Sequence, residues 1–174
     1  MSVFHLQPHP DRPSLGVSGV EVELRRNRGE LFLAYRVFGE SQVVTPAPSP
    51  PARTDGLWRT TCFELFLMLD DDEHYLEFNF SPSSCWAAYA FDGYRDGMSE
   101  IAMTPPRVEE RHQGVDVALD LAGVPHGDLR TALSAVVEEE GGIKSYWALA
   151  HPPGPPDFHH PACFTARLPA PPRP

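Results

Sequence analysis

Apolar and polar residues alternate along two neighbouring segments in the middle of the chain, residues 57–69 and 74–81. The apolar residues at every second position are Phe63, Leu65, Leu67, Leu76, Phe78 and Phe80. A period of two places such residues on one face of a β-strand. The acidic segment between them, residues 70–73, is too charged to be buried and too short to link domains. The pattern therefore predicts two long strands joined as a β-hairpin.

The same pattern predicts how the two strands of this hairpin pair. If Leu69 faces His74 across the turn, the apolar residues of the strands face one another, and Glu64 faces Asn79 on the opposite side. A slip of one residue would bring Glu64 and Glu77 into the core, so the register is well specified. The predicted hairpin has one apolar face and one face that mixes two carboxylates, an amide and large rings. The second face is the first candidate for a functional surface.

Short alternating segments continue along most of the chain, separated by turns rich in proline, glycine and serine. Besides the hairpin and a third strand after it, we expect strands at 18–27, 30–38, 99–103, 107–112, 115–121, 132–139, 143–151 and 164–168. About ten short strands with almost no helical periodicity predict an all-β fold, an antiparallel β-sandwich of the jelly-roll or immunoglobulin-like kind. We expect one domain over residues 1–174, with a core at about 18–168, an irregular arm at 1–16 and a frayed tail at 169–174.

The composition of the chain narrows the classes of function. It carries 24 acidic and 14 basic residues, for a net charge of −10, and its one Lys/Arg-rich run is at 25–28. An acidic domain without a basic stripe is a poor candidate for binding nucleic acid or an anionic membrane surface. The 20 prolines cluster between the predicted strands, as an all-β chain requires.

The sequence shows no targeting signal. The N-terminal segment has no basic start, apolar region or small-residue cleavage site, and no apolar run is long enough to cross a membrane. Cys62, Cys85 and Cys163 are odd in number and widely spaced, so we expect buried thiols rather than a disulfide framework. These observations predict a cytoplasmic protein.

The polar face of the hairpin offers the groups that a sugar needs, rings for its C–H faces and polar atoms for its hydroxyls. The candidate rings are Trp58, Phe66 and Tyr75, and the candidate polar groups are Arg59, Glu64, Glu77 and Asn79. Arg59 has the wrong parity for this face, so it would need a bulge. The alternative interpretation is an ordinary solvated sheet face. Two carboxylates on adjacent strands also suggest acid–base catalysis, but nothing marks a separate nucleophile or acid, so no catalytic residue is predicted.

Histidines and an aspartate lie close together late in the chain, at His151, Asp157, His159 and His160. Their spacing fits no standard zinc pattern, so we expect an ordered loop packed on the sheet edge. A metal site is the second interpretation. A third is a wall of the ligand pocket, with His151 or His160 contacting the ligand. Tyr89, Tyr94 and Arg95 flank a glycine-bearing loop that either rims the pocket or caps the end of the sandwich.

Four blocks of the sequence together resemble a known family. The blocks are LWRTTCFELFL, YLEFNFSPS, WAAYAFDGYRDGM and SYWALAHPPGPPDFHHP. They look like the bacterial DOMON-like proteins, which are related to family 9 carbohydrate-binding modules and to haem-binding or sugar-binding DOMON domains. The resemblance covers roughly residues 20–168. It implies a β-sandwich of about ten or eleven strands with a ligand pocket on one face.

In family 9 modules a sugar is held between tryptophans and is hydrogen-bonded by charged and amide side chains. By this resemblance Trp58 and the polar residues of the hairpin face are ligand contacts, and Trp86 and Trp147 compete for the place of the second tryptophan. The resulting hypothesis is a non-catalytic domain that binds a carbohydrate or a sugar-containing small molecule without a cofactor. The alternatives are a haem- or metal-binding domain, because haem-binding relatives use axial His or Met side chains, and a protein-interaction module.

Overall fold

The structure, a computed structural model, describes residues 1–27, 29–70, 72–122, 124 and 127–170. Four predicted features fall partly outside these residues: the turn at 27–29 (Arg28), the acidic hairpin turn (Asp71), the turn at 122–130 (residues 123, 125 and 126) and the tail (residues 171–174). Within the described ranges, no helix is long and apolar enough to span a membrane.

β-strands dominate the described residues. They are β1 (Ser2–Pro8), β2 (Val17–Asn27), β3 (Glu30–Gly39), β4 (Cys62–Leu69), β5 (Tyr75–Phe80), β6 (Trp86–Phe91), β7 (Ser99–Glu100), β8 (Arg107–Arg111), β9 (Gly114–Asp120), β10 (Leu129–Glu139), β11 (Ile143–Ala148) and β12 (Ala166–Leu168). The helical elements of this part of the chain are two single 3-10 turns, Leu57–Arg59 and Pro161–Cys163. The predicted all-β class is confirmed, because the period-two segments are strands.

The strands form one antiparallel sheet rather than the two separate sheets of the predicted sandwich. Its order is β7-β6-β5-β4-β10-β11-β1-β2-β3-β9-β8, with β12 paired to the start of β10. The sheet curls into a half-barrel. Strand β1 makes it continuous, because it pairs with β2 over Ser2–Leu6 and with β11 at Gln7 and Pro8. We refer to β4–β7 and β10–β12 as the β4 half, and to β1–β3, β8 and β9 as the β2 half.

The prediction of an irregular N-terminal arm is wrong for its first residues. Ser2–Pro8 is a strand, and its Leu6 is buried in the core. The prolines of this segment gave it the composition of a loop. Pro8, however, is the last residue of β1, at a strand end where a missing N–H group is tolerated.

The central hairpin has the predicted register. Glu64 pairs with Asn79, and Phe63 pairs with Phe80. Strand β6 pairs with the other edge of β5, so β4, β5 and β6 lie side by side. Because side chains alternate along a strand, Glu64, Glu77 and Asn79 share one face of the sheet, and Phe63 and Phe80 share the other.

The main core lies between the two halves of the sheet. Its members include Phe63, Leu65, Phe78 and Leu133 of the β4 half, and Leu31, Leu33, Tyr35 and Val117 of the β2 half. Tyr35 links the halves, since its ring lies 5.0 Å from that of Phe63 and its hydroxyl donates to the Glu64 backbone oxygen at 2.6 Å. Burying each such side chain contributes about 1.5–3 kcal/mol. The β4 half contributes to this core from one face only, so the side chains of its opposite face take no part in it.

A smaller apolar cluster covers part of that opposite face. It packs Phe66 and Tyr75 of the hairpin against Phe91 of β6 and against Phe158 and Phe164 of the late loop, residues 149–165. The Tyr75 and Phe91 rings stack, with their centroids 4.7 Å apart. Phe66 and Tyr75 are thus packing residues rather than the stacking rings that the sequence suggested. The cluster holds the late loop against the sheet.

Candidate ligand-binding cleft

A cleft with a volume of about 940 Å³ opens on the face of the β4 half that points away from the main core. Its floor consists of Glu64, Glu77 and Asn79, and its walls come from residues 55–59, from the loop 92–98 and from the late loop. The predicted contact residues that line it are Trp58, Arg59, Glu64, Glu77, Asn79 and Tyr89. The cleft thus brings together most of the residues that the hairpin pattern and the family resemblance indicated.

The three side chains of the floor are polar and almost fully buried. Glu64, Glu77 and Asn79 are 3%, 6% and 2% exposed. Asn79 Nδ2 donates to Glu77 Oε1 at 2.8 Å, and Ser134 Oγ donates to Glu64 Oε2 at 2.9 Å. Asn79 Oδ1 has no hydrogen-bond partner among the described residues. Because most buried polar atoms are paired, this oxygen marks the floor as a place where a partner is missing.

Burial makes the two carboxyl groups of the floor weak acids. Desolvation and, after it, the charge of Glu77 raise the pKa of Glu64 to about 8, against smaller opposing effects of Ser134 and Arg95. Desolvation also raises the pKa of Glu77 above its ordinary value. The base within salt-bridge range of Glu77 is His159, whose Nε2 is 3.8 Å from Glu77 Oε2. At neutral pH Glu64 is therefore mostly protonated.

His159 stands beside the floor with its ring orientation fixed. The Tyr75 hydroxyl accepts the backbone N–H of Arg95 at 3.2 Å and lies 2.8 Å from His159 Nδ1. The neutral tautomer in which the Tyr75 hydroxyl donates to Nδ1 carries the ring hydrogen on Nε2, the atom that faces Glu77. Desolvation and the charge of Arg95 lower the pKa of His159 to about 4, so the ring is neutral at neutral pH.

Asp157 ties the late loop to the loop 92–98. Its Oδ1 accepts hydrogen bonds from Arg95 Nε at 3.2 Å, Arg95 Nη2 at 2.8 Å and the His159 backbone N–H at 3.2 Å, and its Oδ2 accepts from the Tyr94 hydroxyl. Although desolvation acts in the opposite direction, the bonds from Tyr94 and Arg95 lower the pKa of Asp157. The two loops that flank the floor are therefore joined by one ionised carboxylate.

Trp58 forms an exposed aromatic rim of the cleft. It is 54% exposed and lies in the 3-10 turn Leu57–Arg59, not in the strand where the sequence placed it. Residues of such a turn do not alternate between two faces, so Trp58 and Arg59 both reach the cleft, and no bulge is required. The Arg59 guanidinium lies 5.7 Å from the Trp58 ring centroid. Gly56, with φ 72°, precedes the turn in a left-handed conformation that favours glycine.

Tyr89 lines the cleft as predicted and is held by the long proline-rich loop at 39–56. Its hydroxyl donates to Asp55, and desolvation followed by this hydrogen bond raises the pKa of Tyr89. Arg53, in the same loop, donates to the Ala88 backbone oxygen at 2.9 Å. The loop thus runs along β6 and forms one wall of the cleft.

Trp86 and Trp147 do not lie in the cleft. They are 5% and 3% exposed and belong to the main core. The Arg53 guanidinium lies 4.5 Å from the Trp86 ring centroid, and Trp147 Nε1 donates to Ser145 Oγ at 2.9 Å. The expectation of a second stacking tryptophan is therefore corrected: both residues occupy positions of β6 and β11 whose parity points to the core.

His151 and His160 also lie outside the cleft. His151 Nε2 is 2.9 Å from the Gln7 backbone oxygen, where β1 meets β11. His160 Nδ1 accepts the Ala162 backbone N–H at 3.1 Å and caps a 3-10 turn. The late loop does form a pocket wall, as one interpretation held, but the histidine that it contributes is His159.

Within the described ranges, no group of three His, Cys, Asp or Glu side chains is arranged to hold a metal ion. The late cluster instead belongs to an ordered loop packed on the sheet, which was the first interpretation of its sequence. Cys62, Cys85 and Cys163 are free and buried, as expected.

Several residues that line the cleft were not predicted from the sequence as ligand contacts. They are Asp55, Phe91, Met98, Tyr146, Phe158 and His159. The alternation of side chains along a strand could have predicted two of them. Phe91 lies two residues after Tyr89 and so shares its face, and Tyr146 is the neighbour of the core residue Trp147 and so lies on the opposite face. The loop residues carry no periodicity, so only the folded chain shows where they lie.

The chain matches no protein-family model and no curated protein sequence. Among solved structures it is similar to a proposed carbohydrate-binding protein from Bacteroides uniformis, with a TM-score of 0.63. The sequence identity is 14%, and the match covers 94% of this chain and 84% of the other. At this identity the likeness concerns the fold: nearly the whole chain adopts the all-β fold of that protein.

Proposed function

We propose that the chain is a non-catalytic binding domain for a carbohydrate or a sugar-containing small molecule, and that the cleft is its binding site. The observation that carries the proposal is the presence, in one cleft, of the exposed Trp58 ring at the rim and the polar side chains of the floor. A sugar has apolar C–H faces and hydroxyl groups. This cleft offers a flat ring for the first and amide and carboxyl groups for the second.

The fold supports the same class of ligand. The Bacteroides uniformis protein of similar fold is itself proposed to bind carbohydrate. The four sequence blocks that resemble DOMON-like proteins include Trp58, Glu64, Glu77 and Asn79. We infer on this basis that the chain is a DOMON-like protein related to family 9 carbohydrate-binding modules.

The absence of catalysis is part of the proposal. A glycosidase with two carboxyl groups needs one of them ionised while the other is protonated. Here desolvation raises the pKa of both Glu64 and Glu77, and each accepts a hydrogen bond from a neutral donor, Ser134 or Asn79. Carboxyl groups in this state suit hydrogen bonding to hydroxyls rather than attack on a glycosidic bond.

Isothermal titration with a panel of mono- and disaccharides tests the binding. We expect at least one sugar to bind, and Trp58→Ala to weaken its binding by about tenfold, the loss of about 1.4 kcal/mol of stacking. The matched control is Phe38→Ala, which removes an exposed ring outside the cleft and leaves the affinity unchanged. Absence of heat with every sugar, or equal affinity of the Trp58→Ala variant, contradicts the proposal.

Incubation with chromogenic glycosides tests the lack of catalysis. We expect no release of the chromophore beyond that of buffer. Turnover that Glu64→Gln or Glu77→Gln abolishes would show instead that the floor carboxyls act as an acid–base pair.

A further inference from the structure

The two carboxyl groups at the floor of the cleft have no cationic side chain against them. Glu64 and Glu77 lie on adjacent strands and on the same face, because Glu64 pairs with Asn79, two residues from Glu77. Among the ion pairs of the described residues, Glu64 takes part in none, and Glu77 meets only the neutral His159. Buried carboxyl groups in proteins are normally paired with a positive group.

The arginines around the cleft are directed elsewhere. Arg95 makes two hydrogen bonds to Asp157, and Arg59 lies over the Trp58 ring. Arg12 lines the cleft but is itself exposed. The two carboxyl groups at the bottom of the cleft therefore lack a contacting Lys or Arg among the described residues, and the arginines lie at the rim.

Asn79 adds a second and independent observation. Its Nδ2 is committed to Glu77, and its buried Oδ1 lacks a partner among the described residues. A carbonyl oxygen only accepts hydrogen bonds. A ligand group at the floor therefore satisfies Asn79 only by donating a hydrogen, which an anionic group such as a carboxylate or phosphate does not do.

We propose that the cleft binds a protonated amine, namely an amino sugar whose ammonium group lies at the floor against Glu64, Glu77 and Asn79. An ammonium has three N–H donors and a positive charge, whereas a hydroxyl has one donor and no charge. It therefore matches both the acceptors and the missing counter-charge of the floor, and its hydrogen bonds to carboxylates are charge-assisted. The inference rests on the proposed function and specifies the ligand.

Binding of a cation is coupled to loss of a proton from the floor. Glu64, with its pKa raised to about 8, holds a proton in the unliganded chain at pH 7. An ammonium beside it favours the ionised carboxylate, so the proton leaves as the ligand binds. The other titratable groups that act on Glu64 are Tyr35, Cys62, Glu77 and Arg95. Desolvation raises the pKa of Tyr35 and Cys62 well above neutrality, so neither supplies or takes up this proton.

Titration calorimetry with matched pairs of sugars tests the inference. The pairs are glucose and glucosamine, galactose and galactosamine, and mannose and mannosamine, with N-acetylglucosamine as an uncharged amide and ethanolamine as an amine without a ring. We expect at least one amino sugar to bind about tenfold or more tightly than its neutral partner. We also expect its heat at pH 7 to vary with the ionisation enthalpy of the buffer, because a proton is released.

The outcomes separate this inference from the proposed function. If the neutral sugars bind as tightly as the amino sugars or more tightly, the inference that the cleft prefers an amine is wrong, and the proposal that it binds sugars still stands. If ethanolamine binds as tightly as the amino sugar, the floor recognises the amine, but the proposal that the ligand is a sugar is wrong. Absence of binding by every compound overturns both.

Two variants locate the effect in the floor. Glu64→Gln and Glu77→Gln keep the shape of each side chain and remove its charge, so each lowers the affinity for the amino sugar toward that of the neutral sugar. Glu64→Gln also lowers the number of protons released on binding, because it removes the carboxyl group whose pKa is raised to about 8. Glu110→Gln, at an exposed position of β8 outside the cleft, is the matched control and changes neither quantity. Folding of each variant is checked by circular dichroism. An undiminished preference for the amine in either folded floor variant overturns the inference.

Discussion

Glu64 is buried in a position where glutamate is seldom found, and its neighbours explain how it is tolerated. The main core packs against the strand from one side, and the walls of the cleft cover the other. Ser134 satisfies one carboxyl oxygen at 2.9 Å. Removing an unpaired carboxylate from water is costly, so the folded chain keeps Glu64 protonated to a higher pH than the unfolded chain does.

The first prediction concerns the pH dependence of stability. The pKa of Glu64 is raised from 4.5 to about 8 on folding, so the folded state holds a proton that the unfolded state has lost. The contribution of Glu64 to the free energy of unfolding therefore falls as pH rises from about 4.5 to 8 and then levels off. Glu64→Gln does not titrate, and its stability relative to the natural chain should rise by a few kcal/mol over this range, at about 1.4 kcal/mol per pKa unit.

Urea denaturation of both chains at pH 5, 7 and 9 measures this difference. The exposed Glu110→Gln is the control, with a stability difference that does not depend on pH. A constant difference between Glu64→Gln and the natural chain at all three pH values would show that Glu64 ionises normally in the folded state.

The second prediction separates the roles of two tryptophans. Trp147→Ala removes a buried ring from the main core and should lower the free energy of unfolding by about 3–5 kcal/mol. Trp58→Ala removes an exposed ring and should lower it by about 0.5 kcal/mol or less. Urea denaturation at pH 7 measures both values. Similar losses in the two variants would mean that Trp58 is a packing residue rather than a rim for a ligand.

At the residue scale, the sequence predicted on which face of the sheet a strand residue lies, but it did not predict how deeply that residue is buried. The register placed Glu64, Glu77 and Asn79 together, because period-two alternation is a local property of the chain. The burial of Glu64 and Glu77 was not predictable, since it depends on loops without periodicity. The position of Arg59 was missed for a related reason: a single 3-10 turn interrupts the alternation just before β4 begins.

At the scale of elements, the site is a sheet face enclosed by loops that are bound to one another. Asp157 of the late loop holds Arg95 and Tyr94 of the loop 92–98. Phe158 and Phe164 pack the same late loop on the smaller apolar cluster. The proline content of these segments indicated loops and nothing about their partners, so the walls of the cleft could not be derived from the sequence.

The third prediction tests this connection between loops. Asp157→Asn removes the charge that Arg95 and Tyr94 bind, and charge-assisted hydrogen bonds are roughly twice as strong as neutral ones. We expect the amides of the loop 92–98 to exchange with deuterium about tenfold faster, while those of β2 keep their protection. Asp70→Asn, which breaks an exposed pair with Arg167, is the matched control. Unchanged exchange in the loop 92–98 would show that Asp157 does not hold it.

At the scale of the whole molecule, one strand makes the sheet continuous. Among the strands that the structure describes, the ladders of the β2 half and the β4 half are joined through β1. The family resemblance predicted two layers around a core, and the two halves do enclose one. The continuity of the sheet was missed because the first residues have the composition of an arm, and their pairing with β11 is remote in sequence.

The fourth prediction measures the contribution of β1. Leu6→Ala removes a buried side chain of this strand and should lower the free energy of unfolding by about 2–5 kcal/mol. Val3→Ala changes a half-exposed position of the same strand and should cost about 0.5 kcal/mol or less. Urea denaturation followed by tryptophan fluorescence compares the two. Equal small losses would show that β1 adds little to the stability of the sheet.

The double pairing of β1 also determines when the sheet can be completed during synthesis. Strand β1 is synthesised shortly before β2 and pairs with it soon afterwards, but its pairing with β11 waits until Ala148 has emerged. Contacts this far apart in sequence form slowly, and unpaired strand edges can pair with other chains. The interval between the synthesis of β2 and that of β11 is therefore the period in which a nascent chain is most exposed to misassembly.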